Sequence, residues 1–405
     1  MPWEETSPMD QKRLFVKDYW RDTFSMAMLC RRYGISRKTG YKWIDRFEDE
    51  GTSGLEDRSR RPHRSPTATP RSLVEPILEL RQRHPTWGAK KLLTVLEARH
   101  PRVEWPARST VCDILKREGM VKTRRRRPYP GHGGRPMSPM NAPNAIWCAD
   151  FKGEFKTRDG VYCYPLTITD GYSRYLLACQ ALDSTAHEFA KPVFVRTFKE
   201  FGLPQIIRTD SGVPFATTAL LRLSRLSAWW IRLGIYPELT QPGHPEQNGR
   251  HERMHRTLKA ETTRPAAGSK TGQQRRFNTF RTEYNEERPH EALGQRTPTS
   301  FYRCSEREYP SRLPEIAYPG HFELRLITRD GAIRFQKKLI WISKVLMGEY
   351  AGLEEVGDGV WDVYYGAVRL GQFDERRYRV EDARGRLYRS GRGGLAKNVL
   401  PMSPD

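Results

Sequence analysis

The alternation of strand-like and helical segments between residues 145 and 261 constrains the fold of this 405-residue chain more than any other feature. Three short apolar runs, rich in β-branched and aromatic residues, read AIWCADFKG, CYPLTITD and YLLACQAL. A helical pattern at 186–202, a strand at 205–210, a helix at 220–234 and a short strand, IYPEL, follow in that order. This order predicts a mixed α/β layer structure.

The stretch QPGHPEQNGRHERMHRTLKAE (241–261) follows the last of these strands. It opens with loop-forming residues and then becomes helical, with Met254 and Leu258 four apart on one face. Its many cations surround three carboxylates: Glu246, Glu252 and Glu261. Because charge runs are usually solvated faces, an exposed charged helix is the first interpretation, and a metal site is the alternative.

Two upstream acids bear on that choice. Asp150 ends the first apolar strand, and Asp210 ends the strand that follows the first helix. Acids at strand ends of an open sheet point into the crevice where sites form. Either acid alone could be a turn or cap carboxylate, but an ordered set of three favours a site. Asp170 belongs to an Asp-Gly turn, for which we expect a structural or family-specific role.

The charge of the chain is concentrated near its start. The net charge is +22, and residues 1–140 hold 30 Lys and Arg against 17 Asp and Glu. Such an excess favours a polyanionic partner, because each phosphate contact releases counterions. A ribosomal protein or a purely electrostatic binder would also fit. The six cysteines are scattered without a C-x-x-C pair, and no apolar run approaches the ~20 residues of a membrane helix.

Residues 1–60 contain a helix-turn-helix pattern. Ser25 begins a short helix, Gly34-Ile35-Ser36 forms a tight turn, and Ser36 caps a second helix. The start of that second helix presents four candidate DNA-binding residues: Arg37, Lys38, Tyr41 and Lys42. A small helical hairpin without DNA affinity is the alternative.

A second helical unit is predicted at 71–121, after a basic linker at 61–70. Ser109 is expected to cap its last helix, on which Arg108 and Lys116 are candidate DNA contacts. The following basic linker, 122–140, cannot fold alone and should track a phosphate backbone. Its candidate contacts are Arg124, Arg125, Arg126 and Arg127.

The pieces WCADFKG, RTDSGVPF and PEQNGRHERMHRTLKAE resemble the three catalytic blocks of the transposase and retroviral-integrase superfamily, which has a ribonuclease H-like core. YNEERPHEALGQRTPTSFY (284–302) resembles the segment that closes this core in bacterial insertion-sequence transposases. With tandem helix-turn-helix units ahead of it, the whole chain is similar to the insertion-sequence-481 group. The resemblance implies an integrase-like catalytic core at 141–305.

The region behind the core reads as β structure. A Pro-punctuated linker at 306–320 precedes successive strands at 321–380, where Asp330-Gly331 and Asp358-Gly359 are hairpin signals. A small SH3-like barrel fits, as retroviral integrases carry one after their core. Its lysines at 337, 338 and 344 would meet DNA or a partner subunit, or would be simply solvated. Residues 381–405 are expected to be a basic tail.

The resemblance also implies the site chemistry. Asp150, Asp210 and a helix glutamate would hold two Mg²⁺ ions, with Mn²⁺ as a substitute, for phosphodiester hydrolysis and transesterification. The resemblance leaves two candidates: 35 residues separate Asp210 from Glu246, the spacing of many relatives, and 41 separate it from Glu252. The Pro-x-x-Asn-Gly-x-x context favours Glu252. DNA contacts on this segment are expected from Asn248, Arg256 and Lys259.

The predicted function is that of an insertion-sequence transposase that binds terminal inverted repeats, cleaves 3′ ends and joins them to target DNA. Its partners would be double-stranded transposon ends and target DNA, and copies would form a homo-oligomer on paired ends. It would need no membrane and no small-molecule substrate beyond water, and would act in a bacterial cytoplasm at the nucleoid. The alternatives are a domesticated DNA-binding regulator with a non-catalytic core, and a ribonuclease H-type nuclease.

Overall fold

The structure is a computed structural model that describes residues 7–58, 68–121, 136–217, 222–241 and 244–381, and it divides into two compact units, Met1–Thr69 and Pro70–Asp405. The first unit contains α1 (Pro8–Trp20), α2 (Met26–Arg32) and α3 (Arg37–Glu50). As predicted, Ser36 caps α3, because its Oγ accepts a hydrogen bond of 3.2 Å from the Thr39 amide. Ser25 precedes α2 but makes no side-chain cap bond.

The second unit begins with three more helices: α4 (Arg71–Arg83), α5 (Ala89–Arg99) and α6 (Arg108–Arg117). They share a hydrophobic core of their own, which includes Ile77, Leu92, Val111 and Ile114. The prediction that Ser109 caps α6 is wrong. The helix begins at Arg108, one residue before Ser109, so Ser109 lies inside its first turn. Ala107, at the N-cap, has no side-chain acceptor for a hydrogen bond.

The central sheet has six strands in the described part of the chain: β1 (Ile146–Phe151), β2 (Phe155–Lys156), β3 (Tyr162–Asp170), β4 (Leu176–Leu182), β5 (Ile206–Thr209) and β6 (Tyr236–Leu239). The strand order is β4-β3-β1-β5-β6, and the short β2 pairs with the beginning of β3. β1, β3 and β4 are antiparallel, whereas β1, β5 and β6 are parallel. The predicted mixed layer is therefore confirmed, and only the two-residue β2 was missed.

Helices cover both faces of this sheet: α7 (His187–Phe201), α8 (Arg225–Arg232), α9 (Gly249–Thr262) and α10 (Lys270–Thr282). One face packs against α7 and α8. The other face packs against α9 and α10, where Met254 and Leu258 are buried as the sequence predicts. The helix predicted at 220–234 is shorter, because a capping box between Ser224 and Ser227 starts α8 at residue 225.

The outer edge of β4 is covered by carboxamide side chains. Gln274 accepts a hydrogen bond of 2.8 Å from the Ala181 amide and donates one of 3.0 Å to the Cys179 carbonyl. Asn285 pairs in the same way with both backbone groups of Leu176, at 2.8 and 3.0 Å. These side chains replace a neighbouring strand, so they close an edge that would otherwise expose unpaired backbone groups.

The C-terminal part is all β: β7 (Glu323–Leu326), β8 (Ala332–Phe335), β9 (Lys338–Trp341), β10 (Tyr350–Gly357), β11 (Val360–Tyr365), β12 (Val368–Asp374) and β13 (Val380–Glu381). Its sheets are β13-β12-β11-β10-β7 and β8-β9. The predicted hairpin at Asp358-Gly359 is confirmed between β10 and β11. The one at Asp330-Gly331 is wrong, because β7 pairs with β10 instead of β8. This β region shares a hydrophobic core with Ala228 and Ile231 of α8.

Candidate active site

Two parallel strands bring Asp150 and Asp210 to the same edge of the sheet. The β1–β5 register pairs Ala149 with Thr209, so the next residue of each strand is one of the two acids. Burial, followed by the charge of Asp210, raises the pKa of Asp150 to about 7. Burial also raises the pKa of Asp210, whose carboxylate accepts a hydrogen bond of 3.1 Å from the Gly212 amide. The two carboxylates therefore resist being charged together.

Glu252 lies in the first turn of α9, is exposed to solvent, and further raises the pKa of Asp150. Glu246 lies in the short turn before α9, where His244 Nδ1 is 2.7 Å from its Oε1. The electrostatics therefore connect Glu252 to the Asp150–Asp210 pair. Mutual repulsion among three hard oxygen donors is relieved by a divalent cation, so these residues fit one.

Sequence reasoning missed the buried partners of this edge, His251 and His255, which are 1% and 4% exposed. Both imidazoles face β3, where Thr167 is the cross-strand neighbour of Asp150. The Thr167 hydroxyl lies 2.7 Å from His251 Nε2 and 2.6 Å from His255 Nε2, and it donates to the Asp150 carbonyl at 3.1 Å. The signal was present in the sequence, because residues 251, 254, 255 and 258 form one helical stripe.

The hydrogen bonds limit the protonation of the two histidines. The Thr167 hydroxyl has one proton for three partners, the Asp150 carbonyl and the two Nε2 atoms, so at least one Nε2–H group donates to it. The Thr169 hydroxyl lies 2.8 Å from His251 Nδ1. Burial lowers the pKa of His251 to about 3 and also lowers that of His255, so both rings are neutral. The 3.7 Å approach of His255 Nδ1 to Asp150 Oδ2 is therefore not an ion pair.

Asp150, His251 and His255 have ligand atoms within 4.8 Å of one another, which is close enough to hold a metal ion. The hydrogen bonds remove most of these atoms from consideration. Both Nε2 atoms are bound to Thr167, and His251 Nδ1 is bound to Thr169. Only His255 Nδ1 remains, and it lies 3.7 Å from Asp150 Oδ2.

The predicted DNA contacts of α9 divide into two groups. Asn248 is half-buried, and its Nδ2 lies 3.4 Å from Asp150 Oδ2, so it faces the acid edge. Arg256 and Lys259 are exposed. Glu261 is exposed but pairs with Arg288 at 2.8 Å, and Thr86 of the preceding helical module also bonds it.

The helical modules present their predicted DNA contacts to solvent. Four exposed side chains lie on the first turns of α3: Arg37, Lys38, Tyr41 and Lys42. Arg108 and Lys116 are exposed on α6. The predicted contacts Arg124, Arg125, Arg126 and Arg127 lie outside the described residues.

Comparison with protein families gives matches in both parts of the chain. The Integrase core domain matches residues 140–245 and, in a second form, residues 233–298. A Helix-turn-helix domain matches residues 11–63, and a Homeodomain-like domain matches residues 39–115. The Insertion element IS476 uncharacterized 39.2 kDa protein of Xanthomonas euvesicatoria is 25% identical over 289 residues, which cover 70% of this chain and 79% of that protein.

The chain therefore contains an Integrase core domain behind helix-turn-helix domains, and it is similar to insertion-element proteins. The mixed sheet lies within the matched core.

Viral polyproteins are similar to the core of this chain. The Gag-Pol polyprotein of Baboon endogenous virus (strain M7) is 34% identical over 124 residues, or 31% of this chain. The matched segment spans only 7% of that polyprotein, and 11% of the Pol polyprotein of Feline endogenous virus ECE1. The solved HTLV-2 integrase catalytic core domain in complex with magnesium (trimeric form) aligns with 40% of this chain and 98% of its own, at a TM-score of 0.32 and 16% identity. The likeness to integrases therefore rests on the sequence matches.

The described helices include none that is both long and apolar enough to cross a membrane.

Proposed function

We propose that this protein is a transposase of the insertion-sequence-481 group that binds terminal inverted repeats, cleaves 3′ ends and joins them to target DNA. The observation that carries the proposal is the parallel pairing of β1 with β5, which sets Asp150 beside Asp210. Glu252 on α9 adds a third carboxylate within electrostatic reach of Asp150. Three acids of this kind suit a metal-dependent phosphodiester reaction.

In the proposed mechanism, Asp150, Asp210 and Glu252 would hold two Mg²⁺ ions, or Mn²⁺ in their place, which would supply Lewis-acid activation of the phosphodiester and of the attacking oxygen. The chain itself fixes the geometry. The Thr167 hydroxyl bonds both imidazoles, and His255 Nδ1 lies 3.7 Å from Asp150 Oδ2. Asn248 Nδ2 approaches the same carboxylate oxygen from the start of α9.

The remaining proposed roles concern DNA and assembly. The exposed cations of α3 and α6 would bind the terminal repeats, and Arg256 and Lys259 would hold the cleaved end beside the acids. We propose a homo-oligomer on paired ends, because two ends must be joined in concert. The fourteen-residue span of α9 thus carries both a proposed metal ligand and proposed DNA contacts.

The C-terminal strands β7–β13 are proposed to form an SH3-like barrel. Antiparallel pairing of β10, β11 and β12 and one shared hydrophobic core support this fold. Lys337, Lys338 and Lys344 are exposed on it and would meet DNA or a second copy of the chain.

Strand transfer with a terminal-repeat duplex and Mg²⁺ tests the proposed function. Asp150→Asn should lower strand transfer by at least about a thousandfold, because removing a metal ligand removes charge stabilisation of the reacting phosphate. Binding of the repeat, measured by fluorescence anisotropy, should stay unchanged. Glu252→Gln should behave in the same way, and Glu246→Gln serves as its matched control with near-normal transfer.

Two outcomes would contradict this assignment. Strand transfer by Asp150→Asn at the wild-type rate would exclude the acid cluster as the active site. A wild-type chain that binds the repeat and transfers nothing would support the regulator instead.

A further inference from the structure

A cavity of about 440 Å³ lies between the turn after β3, the start of α9 and the loop at 292–301. None of the residues that line it is acidic. We call it the arginine pocket and define it by five of its lining side chains: Tyr172, Arg174, Arg250, Arg296 and Phe301. Its volume is within the range of sites that hold a ligand of small-molecule size.

The turn that forms one wall is held rigidly by Asp170. Its buried carboxylate accepts hydrogen bonds from the Ser173 amide at 2.7 Å, from the Ser173 hydroxyl at 2.6 Å and from the Asn144 amide at 2.8 Å. In this turn Arg174 takes a left-handed backbone with φ of 68°. Such a conformation is uncommon for a residue other than glycine, and it persists because the surroundings fix it. The structural role expected for Asp170 is therefore to present Arg174.

The positive charge of the pocket is not neutralised by its own walls. Among the described residues, the Arg174 guanidinium has no hydrogen-bond or ion-pair partner, whereas its backbone amide donates to the Asp170 carbonyl at 3.1 Å. Burial and then Arg250 lower its pKa to about 10, which shows that it is partly desolvated beside a like charge. Arg250 donates to the Gly171 carbonyl at 2.9 Å, which leaves other guanidinium donors available. An anion would satisfy these groups.

The other wall is aromatic. The Arg296 guanidinium lies 4.1 Å from the centre of the Phe301 ring, and Tyr172 meets Phe301 edge-on at 6.5 Å. A site for a bare phosphate would need no aromatic surface. Arginines that bind phosphate, combined with aromatic side chains on which a base can stack, are typical of sites for unpaired nucleic acid strands.

We propose that the arginine pocket binds one nucleotide of an unpaired DNA strand, with its phosphate on Arg174 and Arg250 and its base against Phe301 and Tyr172. This inference rests on the proposed transposase function, and it adds the path that the reacting strand takes beyond the acids. Opening of a few base pairs at a DNA end would supply such a strand.

The pocket lies beside the acids but not among them. Arg250 is two residues before Glu252 on α9, and the Gly171 amide donates to the carbonyl of Ile146 at the start of β1. From Ile146 to Asp150 the strand advances about 13 Å, at about 3.3 Å per residue. The bound nucleotide is therefore separate from the reacting phosphate, and the pocket residues position the strand.

Photo-cross-linking of the full chain tests the proposal. The probe is a fifteen-residue oligothymidylate that carries 5-iododeoxyuridine, and peptide mass spectrometry locates the cross-links. We expect cross-links at Tyr172 or Phe301 with the single strand. Arg174→Asn should lower their yield by about tenfold or more, because a charged hydrogen bond to phosphate is lost. Asparagine tolerates the left-handed backbone of this position.

Arg222→Asn is the matched control, since Arg222 is exposed, has a φ of 58° and does not line the pocket. It should keep the wild-type yield. Arg296→Gln, at an exposed position, provides a second variant in case Arg174→Asn fails to fold, and it should also lower the yield. A blunt duplex that carries the same 5-iododeoxyuridine strand serves as the second probe. The proposal would be overturned if cross-links were confined to the helical modules, if yields were unchanged in both pocket variants, or if the blunt duplex cross-linked as well as the single strand.

Failure of the pocket and failure of the proposed function give different results. Asp150→Asn leaves the pocket intact and should keep the cross-link. Strand transfer that depends on Asp150 without a pocket cross-link overturns the pocket alone. A pocket cross-link without strand transfer that depends on Asp150 overturns the proposed function alone.

Discussion

The two faces of the central sheet are built from different chemistry. The face under α7 and α8 is packed with aromatic side chains, so that Phe198 lies between the rings of Trp147, Phe194 and Trp229. The face under α9 carries buried threonines and histidines that bond one another. Both faces exclude water, but only the second must satisfy every polar group as it does so.

This difference shows which face of the sheet can support a reaction. The aromatic face stabilises the fold mainly by close packing, with few polar contacts such as the bond of Trp147 Nε1 to Asn144 Oδ1 at 3.0 Å. The hydrogen bonds of Thr167 instead fix ring orientations beside Asp150. Successive side chains of β1 point to opposite faces of the sheet, so Trp147 and Ala149 lie on the aromatic face and Asp150 lies on the other. The candidate site is therefore an extension of the polar layer.

Phe198→Ala should have the largest effect on stability. The ring is fully buried at 0% exposure, and removing it leaves a cavity that neighbouring rings cannot fill. We expect a loss of about 3–5 kcal/mol in the free energy of unfolding of the core. Hydrogen exchange of the β1 and β5 amides in urea measures it. Phe198→Leu, which keeps most of the volume, should lose less than half as much, and equal losses would show that the aromatic layer is not close-packed.

Thr167→Val should have an intermediate effect on stability. The change keeps the shape but removes the hydroxyl partner of two buried Nε2 atoms, which costs about 1–3 kcal/mol. Thr197→Val is the matched control on the aromatic face, because Thr197 is equally buried and only bonds the Val193 carbonyl of its own helix at 2.8 Å. Thermal unfolding should separate the two variants by several degrees. Identical melting curves would refute the assigned histidine bonding.

Acidification should have the smallest of the three effects. The folded-state pKa of His251 is about 3, against about 6.5 when unfolded. The stability this ring contributes is complete above pH 6.5 and is lost as pH falls toward 3, because the unfolded chain then binds the extra proton. At pH 5 the loss is about 2 kcal/mol, at about 1.4 kcal/mol per pH unit.

Comparison of the wild type with His251→Gln in EDTA isolates this contribution. Asp150, whose pKa is raised to about 7, has the opposite sign, because its folded form gains a proton as pH falls from 7 toward 4. This second contribution is common to both proteins and cancels in the difference. A pH dependence that is the same in both proteins would mean that His251 is not held neutral.

The sequence predicted the order of elements in the core because each strand and helix has its own periodicity. Met254 and Leu258 marked the buried side of α9 correctly. The burial of His251 and His255 was missed although both lie on the same helical stripe as these two residues, because histidine is not counted among the apolar residues that mark a buried face. The partners of Glu261 were missed for a different reason. Arg288 and Thr86 are distant in sequence, and only tertiary packing brings them to it.

The carboxamides along β4 have a consequence for any gathering of these molecules on DNA. A polycation of net charge +22 accumulates on a polyanion, where local concentrations become high. At such concentrations, open strand edges pair with strands of neighbouring molecules and extend into fibre-like aggregates. Gln274 and Asn285 already occupy the backbone groups at Leu176, Cys179 and Ala181 that an incoming strand would need. A high local concentration on DNA therefore does not lead to aggregation through this edge.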